Sequence, residues 1–176
     1  AGEWMPPGVT AGQWRQYVAT GNYQKVVYFD SLWRPVLSHE YDASNVAPTL
    51  RSSRTTYDSS GRVNFQSYPV PDLIPGSSGT RTFYDALDRV TRVEQDREHN
   101  VLATETEYLP GLQVRVTNPK NQQSVTGFMA WDQPGYDLPL WSSQPEGKVI
   151  EIARHPQFGW PLQLKQRSAD NSLQQI

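Results

Sequence analysis

An aromatic-led turn recurs along this chain, and that recurrence constrains the fold more than any other feature. It reads Phe29-Asp30-Ser31-Leu32-Trp33-Arg34, then Tyr57-Asp58-Ser59-Ser60-Gly61-Arg62, then Tyr84-Asp85-Ala86-Leu87-Asp88-Arg89. A degenerate copy, Tyr108-Leu109-Pro110-Gly111, comes next. Trp131-Asp132-Gln133-Pro134-Gly135 and His155-Pro156-Gln157-Phe158-Gly159 complete the series. The lead residues are 28, 27, 24, 23 and 24 apart. A period of this size marks an array in which each supersecondary unit stacks on the next.

The turn has a mechanism. Its Asp can accept a hydrogen bond from the backbone two residues on, and a Gly three residues after the Asp takes φ > 0 without strain. Asp-x-x-Gly therefore predicts a type I turn closing into a G1 bulge, a common β-hairpin connection. The aromatic ahead of it belongs at a strand end, packed across to the partner strand. Positive φ is predicted at Gly61, Gly135 and Gly159.

A second turn falls midway between copies, at Asn118-Pro119-Lys120-Asn121, Gln144-Pro145-Glu146-Gly147 and Ser168-Ala169-Asp170-Asn171. Looser loops are expected over 41–50, 69–79 and 95–100. Between turns, side chains alternate. Leu112, Val114 and Val116 oppose Gln113, Arg115 and Thr117, while Thr104, Thr106 and Tyr108 oppose Glu105 and Glu107. This period of two is that of half-buried strands. The predicted class is all-β, a meander of repeated β-hairpins. Residues 1–22 read as a non-repeat lead-in or divergent first unit, and 23–176 as an array of about six repeats. Helix is expected to be minor, with two turns available over Ala11–Ala19. The strand after Ser168–Asn171 is expected to be an open edge, which favours self-association.

Composition excludes several classes. Lys and Arg number 16 against 18 Asp and Glu, so no basic excess supports nucleic-acid binding. There is no cysteine, which removes disulfides, thiolate metal sites and thiol nucleophiles. No Asn-x-Ser/Thr acceptor occurs either, and the two absences together favour a bacterial source. No apolar run reaches the length needed to span a bilayer. Gly2, Pro6, Pro7 and Gly8 interrupt the first residues, so any export signal is expected outside this chain.

Candidate chemistry is sparse. Among the histidines His39, His99 and His155, the last is read as filling the aromatic place of its repeat. His39-Glu40 lacks the second histidine of a helical zinc motif. Asp30, Asp58, Asp85 and Asp132 share the place before a turn, so capping is favoured over acid catalysis. Glu105 and Glu107 lie on one strand face, with Cα atoms roughly 7 Å apart, a spacing that catalytic carboxylate pairs also use, but they read as a solvated polar face. No cofactor or metal site is expected. The six tryptophans, Trp4, Trp14, Trp33, Trp131, Trp141 and Trp160, carry the alternative reading, stacking on sugars or on a cell surface.

The stretches Tyr57–Val63 and Phe83–Thr91 resemble the YD repeat, also called the Rhs (rearrangement hotspot) repeat. The second turns at Asn118–Asn121 and Gln144–Gly147 sit where that family carries its Asp-Pro-x-Gly turn. The resemblance covers about residues 23–176. It implies a structural repeat motif made by Phe29, Asp30, Arg34, Tyr57, Asp58, Gly61, Arg62, Tyr84, Asp85, Arg89, Tyr108, Gly111, Trp131, Asp132, Gly135, His155 and Gly159. Members wind such hairpins into a spiral shell. In bacterial Rhs proteins and insecticidal toxin-complex subunits the shell encloses a C-terminal toxin, and in teneurins a similar barrel belongs to a cell-surface receptor. The resemblance thus implies a non-enzymatic, secreted or delivered shell segment. Its implied partners are the rest of the shell and the enclosed toxin. Departures are Trp33 and Asp88 in place of the turn glycine, and Leu109 in place of Asp. The paired-aspartate segment that frees the toxin in bacterial members is absent from this sequence.

Overall fold

A computed structural model describes residues 14–130, 134–168 and the backbone of 173–175. The chain divides into two compact units, one of residues up to 83 with 94–101, the other of 84–93 with 102 onward. The first is built on β1 (Arg15–Thr20), β2 (Tyr23–Phe29), β3 (Pro35–Asp42), β4 (Arg51–Tyr57), β5 (Val63–Ser67) and β6 (Gly79–Tyr84). β7 (Val90–Asp96) is divided, with 90–93 in the second unit and 94–96 in the first. The second unit continues with β8 (Val101–Leu109), β9 (Gln113–Thr117), β10 (Gln123–Phe128), β11 (Pro139–Ser143), β12 (Val149–Arg154), β13 (Pro161–Arg167) and β14 (Leu173–Gln175).

From β1 to β6, and from β8 to β14, each strand pairs antiparallel with its neighbour in the chain. This is the all-β hairpin meander that the alternation predicts. Glu105 and Glu107 lie opposite Thr117 and Arg115, and Thr106 and Tyr108 opposite Val116 and Val114, so the polar and apolar sets do take opposite faces. The helix among the described residues is one turn, α1 (Val46–Thr49), inside the loop after β3.

The expectation of helix over Ala11–Ala19 is corrected. Residues 11–13 lie outside the described residues, and Arg15 onward is strand, because Gly21 at φ 59° turns the chain back and sets Thr20 opposite Tyr23. The loop expected over 95–100 shortens to 97–100, closed by the Arg97 N–H donating to the Asn100 carbonyl at 2.8 Å.

Beside the turns that lead into β3, β5 and β13, and beside the 129–138 loop before β11, the register slips by one residue. The second residue of the returning strand is left over in each: Val36, Asn64, Leu162 and Leu140. Such bulges bend a strand and raise its local twist.

Little apolar surface is buried. Among the described residues Leu37, Phe65 and Pro75 are the buried apolar side chains, joined by His39, Ser52 and Ser67. Phe65 lies between the Arg54 and Arg81 guanidinium groups, 5.5 and 5.1 Å from its centroid. The Nδ1 of His39 lies 2.7 Å from the Ser52 hydroxyl, and burial pushes the imidazole pKa down. With so small a core, ladder hydrogen bonds and side-chain contacts at the turns carry much of the specification of this fold.

Candidate functional site

The three clearest repeat turns share one construction. At the backbone, Asp30, Asp58 and Asp85 donate their N–H to the carbonyl four residues on, at 2.9 Å in each case. Their own carbonyls accept from Trp33, Gly61 and Asp88 at 3.1, 3.0 and 3.2 Å. This pair of bonds closes a type I turn with a G1-type bulge.

The residue three after the Asp must therefore be left-handed, and it is: φ is 84° at Gly61, 61° at Trp33 and 62° at Asp88. A bulky L-residue there is an outlier, since the left-handed region costs such residues about 1–2 kcal/mol. Trp33 occupies it all the same.

Each Asp also clasps the Arg that ends its turn. Oδ1 accepts the backbone N–H groups of the second and fourth residues on, namely Leu32 and Arg34, Ser60 and Arg62, Leu87 and Arg89. Oδ2 accepts the arginine Nε–H at 2.7–2.8 Å, and the second guanidinium nitrogen lies 2.7 Å away. The result is a bidentate, charge-assisted fork.

All three carboxyl groups sit below the ordinary aspartate value. At Asp30 partial burial pushes up, but the hydrogen bonds from Arg34 and Leu32 together outweigh it. At Asp58 the Arg62 backbone N–H is the largest influence, and at Asp85 the Arg89 guanidinium. Each of these carboxylates thus has both oxygens engaged by its own turn.

The clasped arginine then reaches the next hairpin. The Arg34 guanidinium lies 4.3 Å from the Tyr57 centroid, and that of Arg89 lies 4.0 Å from Tyr108. The two phenols close the loop, the Tyr57 hydroxyl donating to the Pro35 carbonyl at 2.8 Å and the Tyr108 hydroxyl to the Val90 carbonyl at 3.2 Å. Asp, Arg and Tyr therefore form a joint between successive hairpins. Around Arg89 the joint is enlarged. Its Nη1 lies 3.2 Å from the Tyr136 hydroxyl, and Tyr136 packs edge-on against Tyr108 and Phe128.

The second turns and the degenerate copy keep parts of this design. Asn118 reproduces the backbone turn and accepts the Lys120 and Gln122 N–H groups, with Asn121 at φ 63°. Gln144–Lys148 keeps the two backbone bonds and Gly147 at φ 76°. In the degenerate copy Gly111 and Leu112 are both left-handed, at φ 78° and 54°.

Two expectations are corrected. His155 fills the place of the Asp rather than of the aromatic: its N–H donates to the Trp160 carbonyl, its carbonyl accepts from Gly159, and its Nδ1 accepts the Gln157 N–H at 3.2 Å. This turn is one residue longer than the others, and Gly159 is left-handed as predicted, at φ 68°. Gly135 is not left-handed. The loop that holds it is closed by the Met129 N–H donating to the Leu138 carbonyl at 2.8 Å. Trp131 and Asp132 lie outside the described residues.

The residue just before β3, β5 or β7 is the clasped arginine. The same place before β1 and β13 holds Trp14 and Trp160, an equivalence hidden in the sequence by the change from Arg to Trp. Trp14 stacks on Trp33 with centroids 4.9 Å apart, and both rings are about three-fifths exposed.

Glu105 and Glu107 line one shallow polar depression with Thr91, Arg92, Arg115 and Gln123. Glu105 pairs with Arg92 at 3.0 Å and Glu107 with Arg115 at 2.6 Å on an open polar face. Among the described residues no three His, Asp or Glu side chains gather as metal ligands. No helix among them is long and apolar enough to cross a membrane. No protein-family model matches the chain, and no curated protein matches it.

Proposed function

We propose that this chain is a structural, non-enzymatic segment of an Rhs/YD-type hairpin shell, one that encloses a polypeptide cargo carried C-terminal to it and that leaves a bacterial cell. The observation that carries the reading is the Asp–Arg–Tyr joint. The same three side chains lock a hairpin tip and pin it to the following hairpin, at Asp30–Arg34–Tyr57 and again at Asp85–Arg89–Tyr108. Such a joint extends a wall one hairpin at a time and engages Asp30 and Asp85 within their own turns. The cross-strand ion pairs Lys25–Glu40, Arg92–Glu105 and Arg115–Glu107 support it as well, because a face neutralised in this way grips a neighbouring chain weakly.

The test is protection from protease. In the polypeptide that carries this segment, the domain behind the repeats should resist digestion, and joint Arg34→Ala and Arg89→Ala changes should expose it. Equal digestion rates in parent and variant would overturn enclosure. A second reading, a carbohydrate-binding module, is favoured by the exposed Trp14–Trp33 stack. Glycan-array binding that disappears in Trp33→Ser would promote it over the shell.

A further inference from the structure

The two faces of the sheet in the first unit are unlike. On one, Val27 pairs with Ser38 and Ser38 with Ser53, beside the pairs Lys25–Glu40 and Thr55–Gln66. All of these line a single open depression of about 500 Å³. On the other, Val26 pairs with His39 and His39 with Ser52, beside Tyr28, Leu37 and Arg54. There Leu37, His39 and Ser52 are 5 %, 4 % and 0 % exposed, and Tyr28 stands edge-on to His39 at 5.6 Å. That side is filled by the chain's own residues, so the hollowed side is the one with room.

The hollow also limits how a guest is held. β2, β3, β4 and β5 are each paired on both edges, so no polypeptide can add to them as a strand. Contact on this face is through side chains, and the polar ones are engaged with one another. Lys25 Nζ lies 2.6 Å from Glu40 Oε1, and the Ser38 and Ser53 hydroxyls lie 2.8 Å apart. Such a surface carries little net charge and selects no sequence. Taken by itself, the second unit repeats the association. Thr117 pairs with Glu105 and with Gln123, and these line a depression of about 360 Å³ that also takes in Arg92, Glu107 and Arg115.

We infer that the hollowed, ion-paired face of the first unit is the side turned to the enclosed polypeptide, which it meets through side chains alone. An enclosing wall must be hollow toward its contents, and contents that are to be released must not be gripped. In this unit the hollow and the self-neutralised polar groups coincide, on the face that the chain does not already fill. The inference rests on the enclosure reading and adds which side of the sheet encloses.

The chain has no cysteine, so a single introduced thiol reports one position. Gln66→Cys lies on the hollowed face. Ala19→Cys lies on the opposite one, because Ala19 pairs with Gln24 and Gln24 with Tyr41, two residues from His39. Both positions are exposed in this chain. Each change is made in the polypeptide that carries this segment, otherwise free of cysteine, and equal urea midpoints check that both variants fold. Labelling by a maleimide on a polyethylene glycol chain should be slower at 66 than at 19 by roughly tenfold or more, because thiol reactivity follows access. A photoreactive benzophenone residue in place of Gln66 should crosslink to the domain behind the repeats, and one in place of Ala19 should not. Protection and crosslinking at 19 instead of 66 would overturn the face assignment and leave enclosure standing. Equally fast labelling at both, with no crosslink from either, would overturn enclosure and this inference with it.

Discussion

The turns at Asp30–Arg34, Asp58–Arg62 and Asp85–Arg89 and those at Asn118–Gln122 and Gln144–Lys148 have the same backbone and different side chains. All five pair the first N–H with the fifth carbonyl and the fourth N–H with the first carbonyl. All five place a left-handed residue fourth. The Asn118 turn keeps a neutral version of the clasp, its Nδ2 donating to the Gln122 Oε1 at 3.0 Å. The Gln144 side chain turns away and donates to the Ser142 hydroxyl. The turn therefore needs neither Asp nor Arg. What the charged pair adds is an arginine held at a fixed angle, ready to stack on a tyrosine of the next hairpin. Asp at this place serves the joint, and the left-handed residue serves the turn.

That division predicts unequal costs. Arg34→Ala removes both the fork and the ring contact, and should destabilise the first unit by about 1–2 kcal/mol after allowance for partial exposure. Gln122→Ala removes one neutral, exposed hydrogen bond and should cost about 0.5 kcal/mol or less. Urea titration of both variants decides the point, and equal costs would break the distinction between joint and turn. Arg34→Lys should recover little, because an ammonium cannot make the bidentate fork.

The turn half of the comparison is sharpened at Gly61. With φ at 84° there, Gly61→Val should cost about 1–2 kcal/mol, and Gly61→Asn distinctly less. Gly127 offers a contrasting glycine whose φ is ordinary. A Cβ there would collide with the Trp141 indole, so Gly127→Ala should cost on the order of 1–3 kcal/mol through overpacking alone. Val and Asn variants of Gly61 that unfold at the same urea concentration would show that left-handedness is not what the turn demands.

Much of this was legible from residues alone. Period-two alternation at Gln113–Thr117 and Thr104–Tyr108 gives the strands and their faces, and Asp-x-x-Gly gives the turn, because both signals are local, whereas Leu112, read with Val114 and Val116, lies left-handed in the turn before β9. The joint was half legible. Tyr57, Asp58 and Arg62 were visible as a motif, but stacking of Arg34 on Tyr57 links residues 23 apart and has no local trace. Tyr136 reaches Arg89 across 47 residues for the same reason. His155 misled because an imidazole is aromatic in composition but serves here as a hydrogen-bond acceptor, and Trp160 was obscured because an indole replaces a guanidinium in the arginine place. Two helical turns are expected over Ala11–Ala19, whereas from Arg15 onward the turn at Gly21 and the pairing with β2 decide for strand.

The smallest expected effects come from titration, and their signs separate the two kinds of turn. The clasp aspartates have folded pKa values below their unfolded ones, so their contribution is complete above an unfolded value of about 3.9. It is lost as pH falls through the lower folded value, when the carboxyl gains a proton and releases its arginine. Asn118 and Gln144 carry no such proton. His39 acts earlier: its folded pKa lies below the model-peptide value of about 6.5, so the unfolded state takes up a proton first and stability declines as pH falls from there toward the folded value. Hydrogen exchange followed from pH 7 downward, corrected for intrinsic rates, should thus show β3 and β4 loosening first, around His39 and Ser52. Only at lower pH should the tips at 30–34, 58–62 and 85–89 follow, with 118–122 and 144–148 trailing them. Simultaneous loss of protection at both kinds of tip would mean that the carboxylates do not hold the joints, and the comparison would fail at its root.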